Sequence, residues 1–150
     1  MKYFLCLVSL IAIAYAANPA DIAKLATMVG TAHKRTGLDL SEADLRAYQL
    51  KNDKVSLQYA NLSHANLANV NLEKMDLSES NLSYANLENA NLAQAIITET
   101  NFSCANLNNA NLARADAEQT IISNASLVNT ITTDIKHYET IVNEPSINCG

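Results

Sequence analysis

Ala60-Asn61-Leu62-Ser63-His64 is followed at once by Ala65-Asn66-Leu67-Ala68-Asn69, and the same five-residue phrase runs fourteen times from Ala60 to Leu127. Its form is a small residue, an Asn or Asp, a Leu and two variable residues. The central position is Leu in ten of the fourteen, with Ile97, Phe102, Ala117 and Ile122 as exceptions. Two residues earlier Ala stands in nine, and Val70, Met75, Ser80, Thr100 or Thr120 in the others. The position between them is Asn or Asp except at Ile96, Ile121 and Ser126.

A strict period of five suits neither common secondary structure. On an α-helix five residues advance about 500°, so successive leucines stand roughly 140° apart and form no stripe. On a flat strand five is odd, and successive leucines alternate between faces. A chain that bends by about 90° at every pentad solves the problem, because Leu and the residue two before it then always point inward. Four pentads close one coil, and coils stack at about the 4.8 Å spacing of paired strands. A four-sided coil implies a higher period of twenty, and the sequence carries one. Asn69, Asn89, Asn109 and Asn129 end every fourth pentad, which predicts an outer column of amides. Two readings of that column follow: a hydrogen-bonded ladder that stiffens the face, or a donor–acceptor surface for a glycan or partner strand. The structural one is favoured.

These residues resemble the pentapeptide-repeat family, whose motif is Ala-(Asp/Asn)-Leu-X-X, from Leu38 to about Thr132. The resemblance implies an all-β solenoid, a right-handed quadrilateral β-helix of about four to five coils. Of function it implies little, since the family spans many roles. Some relatives are dimeric rods that imitate duplex DNA and bind DNA gyrase, which supplies an alternative function for this chain.

The chain divides into 1–16, 17–37, 38–132 and 133–150. Met1 to Ala16 has the parts of a secretory signal: Lys2, an apolar run from Tyr3 to Ala14, and a small-x-small site that places cleavage between Ala16 and Ala17. The apolar run is well short of the roughly 20 residues that span a bilayer, so no stable membrane insertion is expected after cleavage. A periplasmic or secreted protein is expected. Within 17–37, Pro19 at a first turn, Asp21 and the apolar set Ile22, Leu25, Ala26 and Val29 predict a short helix. It would cover the first coil, because repeat arrays need their ends hidden. Leu38-Asp39-Leu40, Ala43-Asp44-Leu45 and Tyr48-Gln49-Leu50 are imperfect pentads. Their spacing favours coil over a helix from Ser41 to Lys51, although Ser41 and Asp44 match a capping box. Leu50 to Leu57 is seven residues, so two residues of the Lys51-Asn52-Asp53-Lys54 stretch should bulge outward. Past Thr132 the motif fades into a short closing element and a tail.

No catalytic constellation stands out. The formal charge is −5, and a coil surface with Glu73, Asp76, Glu79, Glu88, Glu99, Asp116 and Glu118 against Lys74 and Arg114 argues against direct nucleic-acid binding. His33, His64 and His137 are scattered, which gives no metal site, and no phosphate-cradling glycine loop or cofactor motif appears. Glu79 and Glu99 stack one coil apart and read as solvated charges. After cleavage Cys104 and Cys149 remain, a candidate disulfide that would pin the C-terminal end; two free thiols or an intermolecular bridge are the alternatives. Asn61, Asn81, Asn101 and Asn124 stand in Asn-x-Ser sequons. The expected protein is an exported, non-enzymatic interaction or structural module with an unidentified protein partner and a candidate homodimer contact through one end of the coil.

Overall fold

The computed structural model describes residues 39–46, 57–144 and 148–149. The signal segment with its Ala16/Ala17 cleavage site, the helix expected within 17–37 and the bulge at Lys51-Asn52-Asp53-Lys54 lie outside the described residues. From Asn61 to Lys136 the chain winds in coils that pair in parallel at a register of twenty. Asn61 bridges Asn81 and Asn81 bridges Asn101, and the same step joins Asn66, Asn86 and Asn106, Asn71, Asn91 and Asn111, and Asp76, Ile96 and Asp116. Four pentads therefore make one coil. Its four faces are named here by their first central residue: the Leu57, Leu62, Leu67 and Leu72 faces.

Backbone accounting explains the motif. In the pentad from Ser80 to Tyr84, the Ser80 N–H closes a β-turn onto the Leu77 carbonyl at 3.0 Å. The Asn81 N–H reaches down to Ala60 at 2.9 Å, while the Leu82 and Tyr84 N–H groups donate upward to Asn101 at 2.7 Å and Ser103 at 2.9 Å. The Ser83 N–H finds no backbone carbonyl, and the Oδ1 of Asn81 accepts it at 3.1 Å. All five donors are thus satisfied, as a stacked coil requires. Asn or Asp precedes the central residue because a short side-chain acceptor there closes the fourth bond.

The fifth residue of each pentad has positive φ, from 53° to 63° between Tyr59 and Asp134. That is the third position of a type II-like turn, which Gly and Asn occupy most readily. Asn69, Asn89, Asn109 and Asn129 all stand at this position, so the one-sided Asn column is first a column of left-handed turns.

Inside, the central leucines and the alanines two residues earlier form one core. Phe102, the largest buried side chain, shares its coil with Ala117, the smallest central residue, which keeps the coil's filling volume roughly constant. Buried hydroxyls at 100 and 120 donate to carbonyls of the coil below, Thr100 Oγ1 to Leu77 O at 2.8 Å and Thr120 Oγ1 to Ile97 O at 2.7 Å.

The register changes at both ends. Asp39 bridges Asn61 and Asp44 bridges Asn66, a step of 22, with Leu40, Ala43 and Leu45 buried. That step exceeds the regular twenty by two residues. At the far end Ile121 bridges Val142, a step of 21. The extra residue is taken up around His137, with φ 55°, and the 3₁₀ turn Tyr138–Thr140. No further coil covers most of the last one, so Leu127, an inward central residue, is 37% exposed; Ile131 takes the outward bridge position above Asn111 and is 49% exposed.

Candidate functional site

With the interior filled, the chemistry of the chain stands on its outward positions. The Leu62 face carries no charged side chain from Ala60 to Asn124. Its turn column reads His64, Tyr84, Cys104, Asn124. The His64 and Tyr84 rings lie one coil apart and stack with centroids 4.8 Å apart and planes within 5°. The C-terminal segment is laid against this face. Val142 pairs on top of Ile121, and the Glu144 N–H donates to Ser123 Oγ at 2.8 Å. Two coils lower on the same face the Tyr84 hydroxyl donates to the Asn148 carbonyl at 3.5 Å. The structure joins Cys104 to Cys149, with Cα atoms 5.6 Å apart.

The amide ladder runs elsewhere than in the column that the sequence suggested. Of Asn69, Asn89, Asn109 and Asn129, only the last pair is bonded, Asn129 Nδ2 to Asn109 Oδ1 at 3.3 Å. The longer ladders belong to the asparagines that precede the central leucines. Asn91 Nδ2 donates to Asn71 Oδ1 at 3.1 Å and Asn111 Nδ2 to Asn91 Oδ1 at 3.3 Å. Asn106 repeats the contact on Asn86 at 3.2 Å. Bridge residues of successive coils stand directly above one another, which brings their amides into hydrogen-bond reach. Three of the sequon asparagines, Asn61, Asn81 and Asn101, are half-buried bridge residues whose Oδ1 is already used by the Ser two positions on. Asn124 sits on an exposed turn.

The Leu57 and Leu72 faces meet at the most strongly charged edge, which sequence reasoning passed over. Lys74, Arg114 and Lys136 line an open groove there, with the exposed Ile96 in it. Asp116 Oδ1 lies 2.7 Å from His137 Nδ1. That hydrogen bond, and then the carboxylate's charge, raise the His137 pKa above its ordinary value. Near the other end Arg46 clamps Asp44 through Nε and an Nη at 2.9 and 2.6 Å, which lowers the Asp44 pKa. Among the described residues no group of three His, Cys, Asp or Glu side chains is placed to hold a metal ion. No described helix is long and apolar enough to cross a membrane.

A chain wound from pentads at a register of twenty, with inward Ala and Leu and a side-chain acceptor before each central residue, defines a β-helix of pentapeptide repeats. The family model for pentapeptide repeats matches residues 56–94 and 100–131 in eight copies. A pentapeptide repeat protein from the cyanobacterium Cyanothece is 31% identical over 63% of this chain and 68% of its own, with a TM-score of 0.33. A pentapeptide repeat protein of the Arabidopsis thaliana thylakoid lumen is 23% identical over 51% of this chain and 61% of its own, with a TM-score of 0.38. HetL from Nostoc, a pentapeptide repeat protein involved in heterocyst differentiation regulation, is 24% identical over 67% of this chain and 58% of its own, with a TM-score of 0.26. The chain thus spans about 60% of the Arabidopsis and Nostoc proteins. Among curated proteins none is significantly similar in sequence. This chain belongs to the pentapeptide-repeat family, and its fold is that family's right-handed β-helix.

Proposed function

We propose that the protein is an exported, non-enzymatic module, a rigid solenoid whose outer faces engage a protein partner. One observation carries the reading. Each regular pentad spends its backbone donors within the fold and fills its inward positions with buried side chains. Residue choice is therefore free only on the outer surface. A surface held this stiffly recognises a partner without an ordering cost. Export is supported by the signal-like residues 1–16 and by the Cys104–Cys149 bond, which suits an oxidising compartment. The expected mature chain starts at Ala17. Intact mass from cell fractions tests this: an uncleaved, reduced chain in the cytosol would overturn it, and a chain two hydrogens lighter before reduction supports it.

A second copy docked end to end is favoured by Leu127, an inward central residue that stands 37% exposed in the last coil. Light scattering of the mature protein tests this reading. A monomer at high micromolar concentration removes it, and a dimer dissociated by Leu127→Lys supports it. Gyrase binding by DNA mimicry requires an acidic rod. The uncharged Leu62 face and the cationic edge at Lys74, Arg114 and Lys136 count against it, and a supercoiling assay without effect would close it.

A further inference from the structure

Between residues 57 and 144 the sequence holds three lysines and arginines against ten acids. All three of those cations, Lys74, Arg114 and Lys136, line the same open groove of about 580 Å³. The twenty-residue register collects them. Lys74, Gln94, Arg114 and Asp134 are the turn residues of successive coils, and Asp76, Ile96, Asp116 and Lys136 form the adjoining bridge column.

Two features set this edge apart from a scatter of surface charges. First, Ile96 replaces the Asn or Asp that the motif uses to satisfy its turn, and it stands 41% exposed in the groove beside the cations. A local fold rule is broken where an apolar contact becomes available. Second, the groove's own acids are largely engaged. Asp116 is bound by His137 at 2.7 Å, and Asp134 faces Arg114 at 3.8 Å. Lys74 has only the loose, exposed Glu73 at 3.5 Å, and Lys136 makes no ion pair among the described residues. The groove lining thus gathers three cations with Asp116 and Asp134 around an apolar centre, and Lys136 is the cation there that makes no ion pair among the described residues.

We propose that this groove is the docking site for an extended acidic segment of a partner protein, two carboxylates flanking one apolar side chain that seats on Ile96. The proposal rests on the protein-binding reading above and deepens it. Coil spacing sets the dimensions: Lys74 and Arg114 stand two coils apart, about 10 Å, and Lys74 and Lys136 three coils, about 14 Å. An extended peptide rises about 3.3 Å per residue, so carboxylates four residues apart span about 13 Å on one side, with the middle residue between them. A long nucleic acid would run onto the surrounding acids and be repelled, whereas a five-residue segment fits within the cationic edge.

The test is fluorescence anisotropy with a labelled Glu-Ser-Leu-Ser-Glu peptide and the mature, disulfide-bonded chain. Saturable binding is expected, weakened several-fold as salt rises from about 50 to about 300 mM. Arg114→Glu with Lys136→Glu should weaken it by at least about tenfold. Ile96→Asn, which restores the motif residue and so protects the fold, should weaken it to a lesser extent. Glu88→Lys on the Leu67 face should leave it unchanged. Equal binding of a Lys-Ser-Leu-Ser-Lys peptide, binding that survives the double charge reversal, or stronger binding of a short DNA duplex would each overturn the proposal. A photo-crosslinking residue placed at Gln94 or at Asn89 in the native host separates the two readings. An adduct at Gln94 that the acidic peptide competes away supports the groove. Adducts at Asn89 alone overturn the groove and leave the module reading standing, and no protein adduct at either position overturns both.

Discussion

Replacing Asn91 by alanine removes three hydrogen bonds at once. Its Oδ1 accepts the Ala93 N–H at 3.2 Å and the Asn111 amide at 3.3 Å, and its own Nδ2 donates to Asn71 at 3.1 Å. The Ala93 amide then has no acceptor on the half-buried face, at about 1 kcal/mol, the low end for an unsatisfied donor. The two ladder contacts contribute about 0.5 kcal/mol each, since the freed amides of Asn71 and Asn111 can turn to water. The expected loss is therefore about 2 kcal/mol. Asn89→Gly is the matched control. Asn89 is an equally repeated asparagine, but it is exposed and sits in a left-handed turn, with φ 58°. Glycine keeps that conformation, so the change should stay within about 0.5 kcal/mol, whereas Asn89→Ala should cost about 1 kcal/mol for the strained φ. Urea unfolding of the oxidised chain measures all three, and coincident circular dichroism and fluorescence transitions would license the two-state treatment that stacked repeats can violate. Equal destabilisation by Asn91→Ala and Asn89→Gly would refute the division of labour between the two kinds of asparagine.

Three further outcomes follow from the same structure. Thr100→Val, which strips a buried hydroxyl bonded to Leu77 O, should cost about 1 kcal/mol, while Ser80→Ala should cost nothing or stabilise slightly, because the buried Ser80 Oγ has no hydrogen-bond partner; chemical denaturation compares the pair. Cys149→Ser should cost about 2–4 kcal/mol by releasing a cross-link between residues 45 apart, and hydrogen exchange should show faster exchange in 142–144 before it reaches the core. His137 titrates above its ordinary value because Asp116 stabilises the imidazolium. The stability from that pair is complete below the unfolded histidine pKa of about 6.5 and is lost as pH rises through the higher folded value. An NMR titration of the ring should show the value fall in Asp116→Asn, and an unchanged value would remove the pair from the account.

The fold was legible because one physical constraint acts on every pentad. An inward Leu with a small residue two before it, repeated at a spacing that neither helix nor strand tolerates, leaves a turning coil as the consistent answer, and the bridges at a register of twenty follow from it. The two kinds of asparagine were harder to separate, since both recur every twenty residues. The discriminating signal is that Asn or Asp stands before the central residue in eleven of the fourteen pentads, on every face. Each regular pentad has one N–H that finds no backbone carbonyl, and the Asn or Asp side chain supplies its acceptor. Asparagine at the fifth position recurs fully on one face only, because there it answers a demand on φ that His64, Tyr84, Gln94 and Arg114 also meet at greater strain.

The surface was legible only in part, for a related reason. Composition counts charges without placing them, and on a net charge of −5 the whole coil reads as acidic. Folding the sequence at twenty residues per turn puts Lys74 and Arg114 in one column, and Lys136 in the column beside it with Ile96. That operation uses the same rule that exposed the Asn column, so the cationic edge was within reach of the sequence. The path of the tail was not. It depends on where a segment without the motif leaves the last coil, and nothing in the repeat dictates that Glu144 binds Ser123 or that Asn148 returns to Tyr84. The regular part of this chain is thus fixed by backbone accounting. The features that give it an identity, the pinned tail and the groove with Ile96, arise where that accounting is interrupted, and substitutions there should change recognition with little cost to the coil.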